Sequence, residues 1–185
     1  MLDAVAERRA LSRRTSSSEV TMLHAFLILS LFTPAPIAAA DSLDACALFT
    51  RDEVATAAGE SARKPRPNSV NKMHSSCITT SSTGKLSVNV YIERHESKEI
   101  FQLSLKALKG VAKNQTSQAL KPVSGLGDEA YWGQIGPTSG QFHVVMGTTM
   151  IGIHTSGKGP GAGTMEKTRP IADVVMKRYK ERYGK

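Results

Sequence analysis

Apolar and polar residues alternate through the middle of the chain with the two-residue period that is typical of a half-buried strand. The clearest segment, 86–94, is joined by a Gly-containing turn to an earlier strand at 77–81. Similar patterns predict strands at 129–134, 141–147 and 149–155, and the last two are close enough to form a tight hairpin. The sequence therefore predicts about five strands that are connected mainly by hairpins.

Helical periodicity occurs before, between and after these strands. Thr50 and Glu53 have the spacing of a capping box, which predicts a short helix at 51–59. Apolar residues that recur every three or four positions predict further helices at about 98–112 and 168–183. The resulting order is α-β-β-α-β-β-β-α. Because hairpins replace parallel crossovers, we expect an α+β fold, an antiparallel sheet of about five strands with the helices packed on one face.

Residues 1–40 have the organisation of a secretory signal peptide. Several arginines precede an uncharged apolar run at 23–32, and small residues before Ala40 allow cleavage there. The run has about half of the roughly 20 apolar residues that a transmembrane helix needs. We therefore predict an exported, periplasmic or secreted protein with a single domain at 41–185 and no transmembrane span after signal cleavage. Met22 is an alternative start of translation.

The two cysteines, Cys46 and Cys77, both belong to the predicted mature domain. Extracytoplasmic compartments are oxidising, so the pair predicts one structural disulfide. His74 precedes Cys77 at a metal-ligand spacing, but zinc needs four ligands and only one short pair is present. Residues 43–46 have the outline of a lipoprotein box. Aspartates separate this box from the apolar run, so a lipid anchor at Cys46 is not expected.

The chain is basic, with 24 Lys and Arg against 16 Asp and Glu and a formal net charge of +8. These charges are spread over a Pro- and Asn-rich segment at 60–73, predicted to be a solvated loop, and over 98–113 and 177–185. Nucleic-acid binders usually combine such charge with stacking aromatic residues, which are only 5% of this chain. A nucleic-acid partner is therefore not expected, whereas anionic lipid or cell-wall polymer is an alternative.

Candidate binding residues are few. His143 and His154 are predicted to be diagonal neighbours on the solvent face of the last hairpin, where two histidines could begin a metal site. The pattern places no carboxylate or cysteine beside them, so exposed histidines without a ligand are favoured. Tyr131 and Trp132, the only Trp, form a candidate binding anchor, although adjacent strand residues cannot both face inward.

No catalytic motif is assembled by the sequence. The glycine-rich segment 157–164 lacks the Gly-Lys-Ser/Thr of a phosphate-binding loop, so a flexible connector is favoured. Asp128 and Glu129 are adjacent in a turn or strand and would not flank one substrate. We therefore assign no catalytic residue, no metal ligand and no cofactor.

One set of motifs resembles a loose group of small exported bacterial proteins and lipoproteins of unknown function, whose domains are similar to extracytoplasmic sensor domains. The shared features are an early Cys-x-Leu, a Glu-Val helix, a second Cys that opens a strand, and Gly-Leu-Gly-Asp-x-Ala-Tyr; here they are Cys46, Leu48, Glu53, Val54, Cys77 and 125–131. The resemblance spans about residues 46–155. It implies the α+β fold, supports the disulfide and carries no catalytic residue.

The expected function is therefore a non-enzymatic binding or sensor-like domain of the bacterial cell envelope, whose partner is an unidentified envelope protein or polymer. Two alternatives stay open. One is a metal-binding protein or hydrolase that uses His74, His143 or His154. The other is an electrostatic binder of anionic lipid or cell-wall polymer, whose binding would collapse as salt rises.

Overall fold

The computed structural model describes residues 42–115 and 120–184, so the predicted signal peptide at 1–40 and the alternative start at Met22 lie outside it. Within the described chain, a short 3-10 helix precedes three α-helices and seven β-strands. In chain order they are the 3-10 helix Ala45–Leu48, α1 Arg51–Ala58, β1 Arg66–Val70, β2 His74–Thr80, β3 Ser87–Arg94, α2 Lys98–Gln115, β4 Lys121–Pro122, β5 Glu129–Gly136, β6 Ser139–Met146, β7 Thr149–Ser156 and α3 Met165–Tyr183.

All seven strands form a single antiparallel sheet in the order β1-β2-β3-β7-β6-β5-β4. The α+β prediction is confirmed, but the expectation of about five strands is wrong. The two missed strands are the edges. Strand β1 lies inside the segment 60–73 that was expected to be a loop, and all of its residues are exposed. Strand β4 has only two residues, the second of which is Pro122. Edge strands bury little and tolerate proline, so they carry no alternating pattern.

The main hydrophobic core lies between one face of the sheet and helices α1 and α3. Val88, Val90 and Ile92 of β3 are fully buried there, which confirms the core face predicted from their alternation. Helix α3 packs Ile171 and Val175 against this same face of the sheet. Burial of each such side chain stabilises the fold by about 1.5–3 kcal/mol.

Helix α2 packs on the opposite face of the sheet. Its buried residues Phe101 and Leu105 form a second cluster with Val145 of β6 and Met150 of β7. The expectation that the helices share one face is therefore wrong. The physical reason is that Val145 and Met150 are apolar positions on the second face, and their burial needs a separate covering element.

Two polar contacts hold the helices in place. The capping box of α1 is confirmed, since the Glu53 backbone N–H donates to Thr50 and the Thr50 N–H donates to the Glu53 carboxylate. The same carboxylate accepts hydrogen bonds of 2.8 and 2.6 Å from Arg178 of α3. Helix α3 begins at Met165, earlier than the predicted start near 168, because the Thr164 side chain caps it.

The predicted disulfide between Cys46 and Cys77 is present, with its Cα atoms 5.1 Å apart. It joins the 3-10 helix to the middle of β2, where Cys77 is completely buried. Next to it, the Ala45 N–H donates a buried hydrogen bond of 3.0 Å to the Ser75 hydroxyl. The N-terminal end of the described chain is therefore fixed to the sheet by both a covalent bond and a hydrogen bond. No helix in the described ranges is long and apolar enough to cross a membrane.

Candidate functional site

Beyond the residues that contact α2, the second face of the sheet is polar. The strand register places Tyr91, Gly152 and His143 directly opposite one another across β3, β7 and β6. The neighbouring row holds Asn89, His154 and Gln141 in the same order. Together with Ser139, their side chains form what we call the polar cluster, which consists of Asn89, Tyr91, Ser139, Gln141, His143 and His154.

Tyr91 connects the cluster because of a glycine in the central strand β7. A Cβ atom at Gly152 would lie 1.9 Å from Cε1 of Tyr91 and 2.1 Å from its Cζ. The absence of a side chain lets the ring lie across β7, as glycine in a strand often does where another group approaches closely. The Tyr91 hydroxyl reaches β6, where it accepts a hydrogen bond of 2.9 Å from Gln141 and lies 3.2 Å from Nδ1 of His143.

The remaining members of the cluster extend it on both sides. His154 Nε2 lies 2.7 Å from the Ser139 hydroxyl, a hydrogen bond across β7 and β6. The imidazole of His74 stacks beside the Tyr91 ring, with the ring centroids 6.2 Å apart. Asn89 differs from the others, because its Oδ1 is buried and has no hydrogen-bond partner among the described residues. An unpaired buried acceptor is costly, which makes Asn89 the feature of the cluster that most needs an explanation.

The cluster is uncharged at neutral pH. Burial, with a smaller contribution from nearby His154, lowers the pKa of His143 to about 4, and burial also lowers the pKa of His154. Burial raises the pKa of Tyr91 above its ordinary value, and the charge of Glu93 adds to this effect. The side chains therefore offer neutral donors and acceptors, and His143 is a weak base at pH 7.

The arrangement offers little to a metal ion. One nitrogen of each histidine is already engaged, Nδ1 of His143 by Tyr91 and Nε2 of His154 by Ser139. In the described part of the chain, no group of three or more His, Cys, Asp and Glu side chains could hold a metal ion. His74 and Cys77 also do not form such a site, because Cys77 is bonded to Cys46.

The structure brings together only some of the residues that the sequence singled out. His143 and His154 do share one face, but His143 is only 7% exposed, so it is not the exposed histidine that was expected. Trp132 faces the main core, is 4% exposed and packs against Phe142 with ring centroids 4.7 Å apart. Tyr131 faces the other side, opposite His143 in the register, as strand alternation requires.

Sequence reasoning missed Tyr91, Asn89 and Gln141 as members of a common site. Two signals were present. Tyr91 occupies a polar-face position of a strand with strict alternation, and Gly152 interrupts an otherwise bulky strand. Their meeting depends on the pairing of β3 with β7, which no local pattern reveals.

A second concave region lies between α1 and α3. Its volume is about 660 Å³. Ala57, Ile171 and Val174 contribute to its apolar lining, and charged residues contribute to its rim. Two rim charges already have partners in the fold, since Glu53 is held by Arg178 and the ammonium of Lys167 donates to the Ala57 carbonyl. No unsatisfied buried polar atom is found among the described residues of this groove, in contrast to the polar cluster.

Comparison with known proteins adds no relative to this description. No protein-family model, no curated protein and no solved structure matches the chain.

Proposed function

We propose that this chain is an exported, non-enzymatic binding domain of the bacterial cell envelope, and that its polar cluster binds an uncharged, hydrogen-bonding ligand. The observation that carries the proposal is the polar cluster, in which neutral side chains from three neighbouring strands are joined by hydrogen bonds, while the buried Asn89 oxygen has no partner among the described residues. A ligand would supply the donor that this buried oxygen lacks once neighbouring side chains move to admit it.

The composition of the cluster supports a binding role over a purely structural one. A sheet face that serves only to pack against a helix is apolar, as Val145 and Met150 are under α2. A sheet face that serves only to meet water leaves its polar side chains exposed, whereas His143 and the Asn89 oxygen are buried. The cluster has neither character, and burial of its polar groups lowers stability unless each finds a partner. Buried polar groups of this kind are expected in a binding site, where a ligand completes their hydrogen bonds.

The geometry also bears on the hydrolase alternative, because Ser139 and His154 have the contact expected of a nucleophile and its base. A working pair needs a third group that orients the imidazole and donors that stabilise an oxyanion. Among the described residues, no hydrogen bond reaches Nδ1 of His154, and burial lowers the pKa of this imidazole. We therefore favour binding, and Ser139→Ala separates the two functions, since it abolishes turnover in a hydrolase.

Ligand binding by the cluster can be tested with a matched pair of tyrosine variants. Tyr91→Phe removes the central hydroxyl, whereas Tyr183→Phe removes a hydroxyl that bonds to the Asp44 N–H on the other side of the sheet. The probes are neutral oligosaccharides and neutral peptides, followed by chemical-shift changes in NMR spectra. For any probe that binds, loss of hydrogen bonds worth about 1–2 kcal/mol predicts five- to thirtyfold weaker binding in Tyr91→Phe and no change in Tyr183→Phe. Equal effects of the two variants would contradict the proposal.

Export is tested independently of binding. We expect the protein recovered from cells to lie outside the cytoplasm and to begin at Asp41, after cleavage behind Ala40. N-terminal sequencing of the fractionated protein measures this directly. An intact N-terminus on a cytoplasmic protein would contradict export without affecting the role of the polar cluster.

A further inference from the structure

Four segments of the chain meet at the end of the sheet where β2 turns into β3. They are separated in the sequence and consist of residues 60–66, 81–87, 136–139 and 156–159. Backbone hydrogen bonds of 2.8 to 3.2 Å join each segment to a neighbour, from the N–H groups of Ser82, Gly157 and Lys158 to the carbonyls of Ser61, Thr138 and Gly84. Side chains that no sequence pattern connects are therefore brought to the same end of the sheet.

Positive charge accumulates at this end of the sheet. The four segments contain five exposed cationic side chains, which we call the basic end: Arg63, Lys64, Arg66, Lys85 and Lys158. Their single carboxylate, Glu60, is already engaged, because it accepts a hydrogen bond from Thr83 and lies 3.5 Å from the Lys85 ammonium. Among the described residues, the other four cations form no ion pair. Five cations against one carboxylate leave four positive charges in excess, half of the formal net charge of +8.

A row of hydroxyl groups lies beside the basic end on the second face of the sheet. The register places Ser87 of β3 opposite Thr80 of β2 on one side and opposite Ser156 of β7 on the other. Ser87 is two residues from Asn89, so the row shares the face of the polar cluster. The hydroxyls of Thr80 and Ser87 lie 3.2 Å apart, whereas that of Ser156 has no hydrogen bond to any described residue. We call Thr80, Ser87 and Ser156 the hydroxyl row.

Two arginines of the basic end are placed next to this row. Arg66 of β1 lies opposite Ile78, which makes Thr80 its diagonal neighbour on the same face. Diagonal Cβ atoms are about 7–8 Å apart, a distance that a long side chain can span. The Arg63 N–H donates to the Thr80 carbonyl at 3.0 Å, so Arg63 lies beside the same residue. Glu93, an acidic residue on this face, is about 20 Å farther along β3, so this corner of the face stays positive.

We propose that the basic end and the hydroxyl row bind the phosphate groups of a linear anionic polymer. An arginine can hold a phosphate through two parallel hydrogen bonds, and a lysine attracts it as a point charge. Arg63 and Arg66 would hold one phosphate beside Thr80, and the Ser156 hydroxyl would donate to a phosphate farther along the row. This function goes beyond ligand binding by the polar cluster and does not depend on it.

A flexible phosphate polymer suits this corner better than other anionic partners. Single-stranded nucleic acid needs aromatic side chains on which its bases stack, and the four segments contain no Phe, Tyr or Trp. An extended acidic peptide would need the open edge of β1, where Pro67 lacks an N–H and the register shifts before Ser69. The phosphates of a flat bilayer would reach the exposed cations but not the hydroxyl row along the sheet face. A linear polymer can contact both.

The test is titration calorimetry of the full chain with long-chain inorganic polyphosphate as the probe. We expect the affinity to fall as salt rises from about 50 to about 200 mM. Joint replacement Arg63→Gln and Arg66→Gln should weaken binding about tenfold or more, because hydrogen bonds between charged partners are lost. Lys177→Gln with Lys180→Gln is the matched control, since it removes the same charge from exposed positions of α3. All variants share residues 1–41, so a difference between these two comes from the described domain.

A second pair of measurements addresses the hydroxyl row. Ser156→Ala leaves the net charge unchanged and should weaken polyphosphate binding about three- to tenfold, because a hydrogen bond to a charged group is lost. The dependence of the affinity on salt should stay the same, since no cation is removed. In NMR spectra, the amide signals of Ser87 and Ser156 should shift on addition of polyphosphate, whereas those of α3 should not.

Four results would overturn the proposal. Equal losses in the two double variants would show that net charge alone attracts the polymer. Unchanged binding in Ser156→Ala, or no shift of the Ser87 and Ser156 amides, would remove the hydroxyl row from the site. If Arg63→Gln with Arg66→Gln abolished binding to phosphatidylglycerol vesicles and left polyphosphate binding unchanged, the basic end would serve a membrane instead. None of these results would affect the ligand-binding proposal, which Tyr91→Phe tests separately.

Discussion

The close approach of Tyr91 to the backbone of β7 gives the sharpest prediction for the fold. Gly152→Ala would place a methyl group 1.9 Å from Cε1 of Tyr91, well inside contact distance. The ring must move away from β7, and its hydroxyl then leaves both Gln141 and His143. The substitution therefore tests whether the polar cluster is built around this single missing side chain.

The expected cost follows from three contributions. Forced overpacking at a close contact costs about 1–3 kcal/mol. Loss of two hydrogen bonds of the Tyr91 hydroxyl costs about 1 kcal/mol each. Alanine also restricts the unfolded chain more than glycine does, which offsets about 0.5–1 kcal/mol of this cost. This gain applies because the Gly152 backbone is not in the left-handed region, so alanine can adopt its conformation. We therefore expect the free energy of unfolding to fall by about 2–4.5 kcal/mol.

A double-mutant cycle with Tyr91→Ala isolates the contact. In the Tyr91→Ala background the new methyl has room, so Gly152→Ala should cost less than about 0.5 kcal/mol and the coupling energy should exceed about 1.5 kcal/mol. Urea unfolding can be followed by fluorescence, since Trp132 is the only Trp and is buried in the main core. Gly136→Ala is the control, because a Cβ at Gly136 meets no atom within 4 Å. A coupling energy below about 0.5 kcal/mol would refute the reasoning.

Three further predictions concern other parts of the fold. Replacement of both Cys46 and Cys77 by Ala should lower the free energy of unfolding by about 3–4 kcal/mol, because the disulfide closes a loop with a sequence separation of 31. Reduction of the wild-type protein should have the same effect. A loss below about 1 kcal/mol in urea titrations would contradict this expectation. Burial lowers the pKa of His143 to about 4 in the folded state, whereas its unfolded pKa is near 6.5. Between these pH values the unfolded chain binds a proton at His143 that the folded protein does not, so the free energy of unfolding decreases as the pH falls from 6.5 toward 4. Stability should therefore fall by up to roughly 3 kcal/mol over that window, and His143→Gln should flatten this slope in urea titrations at pH 7 and 5. Arg178→Ala should cost about 1–2 kcal/mol in the same assay, because Arg178 holds the Glu53 carboxylate with two hydrogen bonds; an unchanged midpoint would show that this pair adds nothing.

The predictable part of the fold is the part in which burial alternates strictly. Val88, Val90 and Ile92 lie on a central strand with one fully buried face, so their spacing alone defined the strand and its core side. The edge strands β1 and β4 escaped prediction because their residues bury little. The position of α2 was also missed, since no pattern in the sequence indicated that a helix covers Val145 and Met150.

The candidate site was only half predictable. His143 and His154 lie on neighbouring strands of one hairpin, so local pairing was enough to place them on the same face. Tyr91 comes from β3, which pairs with β7 through a connection that includes α2, and no local signal fixes that register. The burial and neutrality of His143 follow from this distant contact. They therefore appear only in three dimensions.

The order of strands also determines when the sheet can close during synthesis of the chain. The two central strands, β3 and β7, come from distant parts of the sequence, and Val90 lies opposite Ile153. The Cys46–Cys77 bond closes entirely within the N-terminal part and can form before β7 exists. A chain that stops before β7 leaves β3 and β6 each with an open hydrogen-bonding edge, the surface on which strands of different molecules aggregate. The last strand and its helix therefore close the sheet against aggregation, and loss of the C-terminal residues would be more damaging than loss of either edge strand.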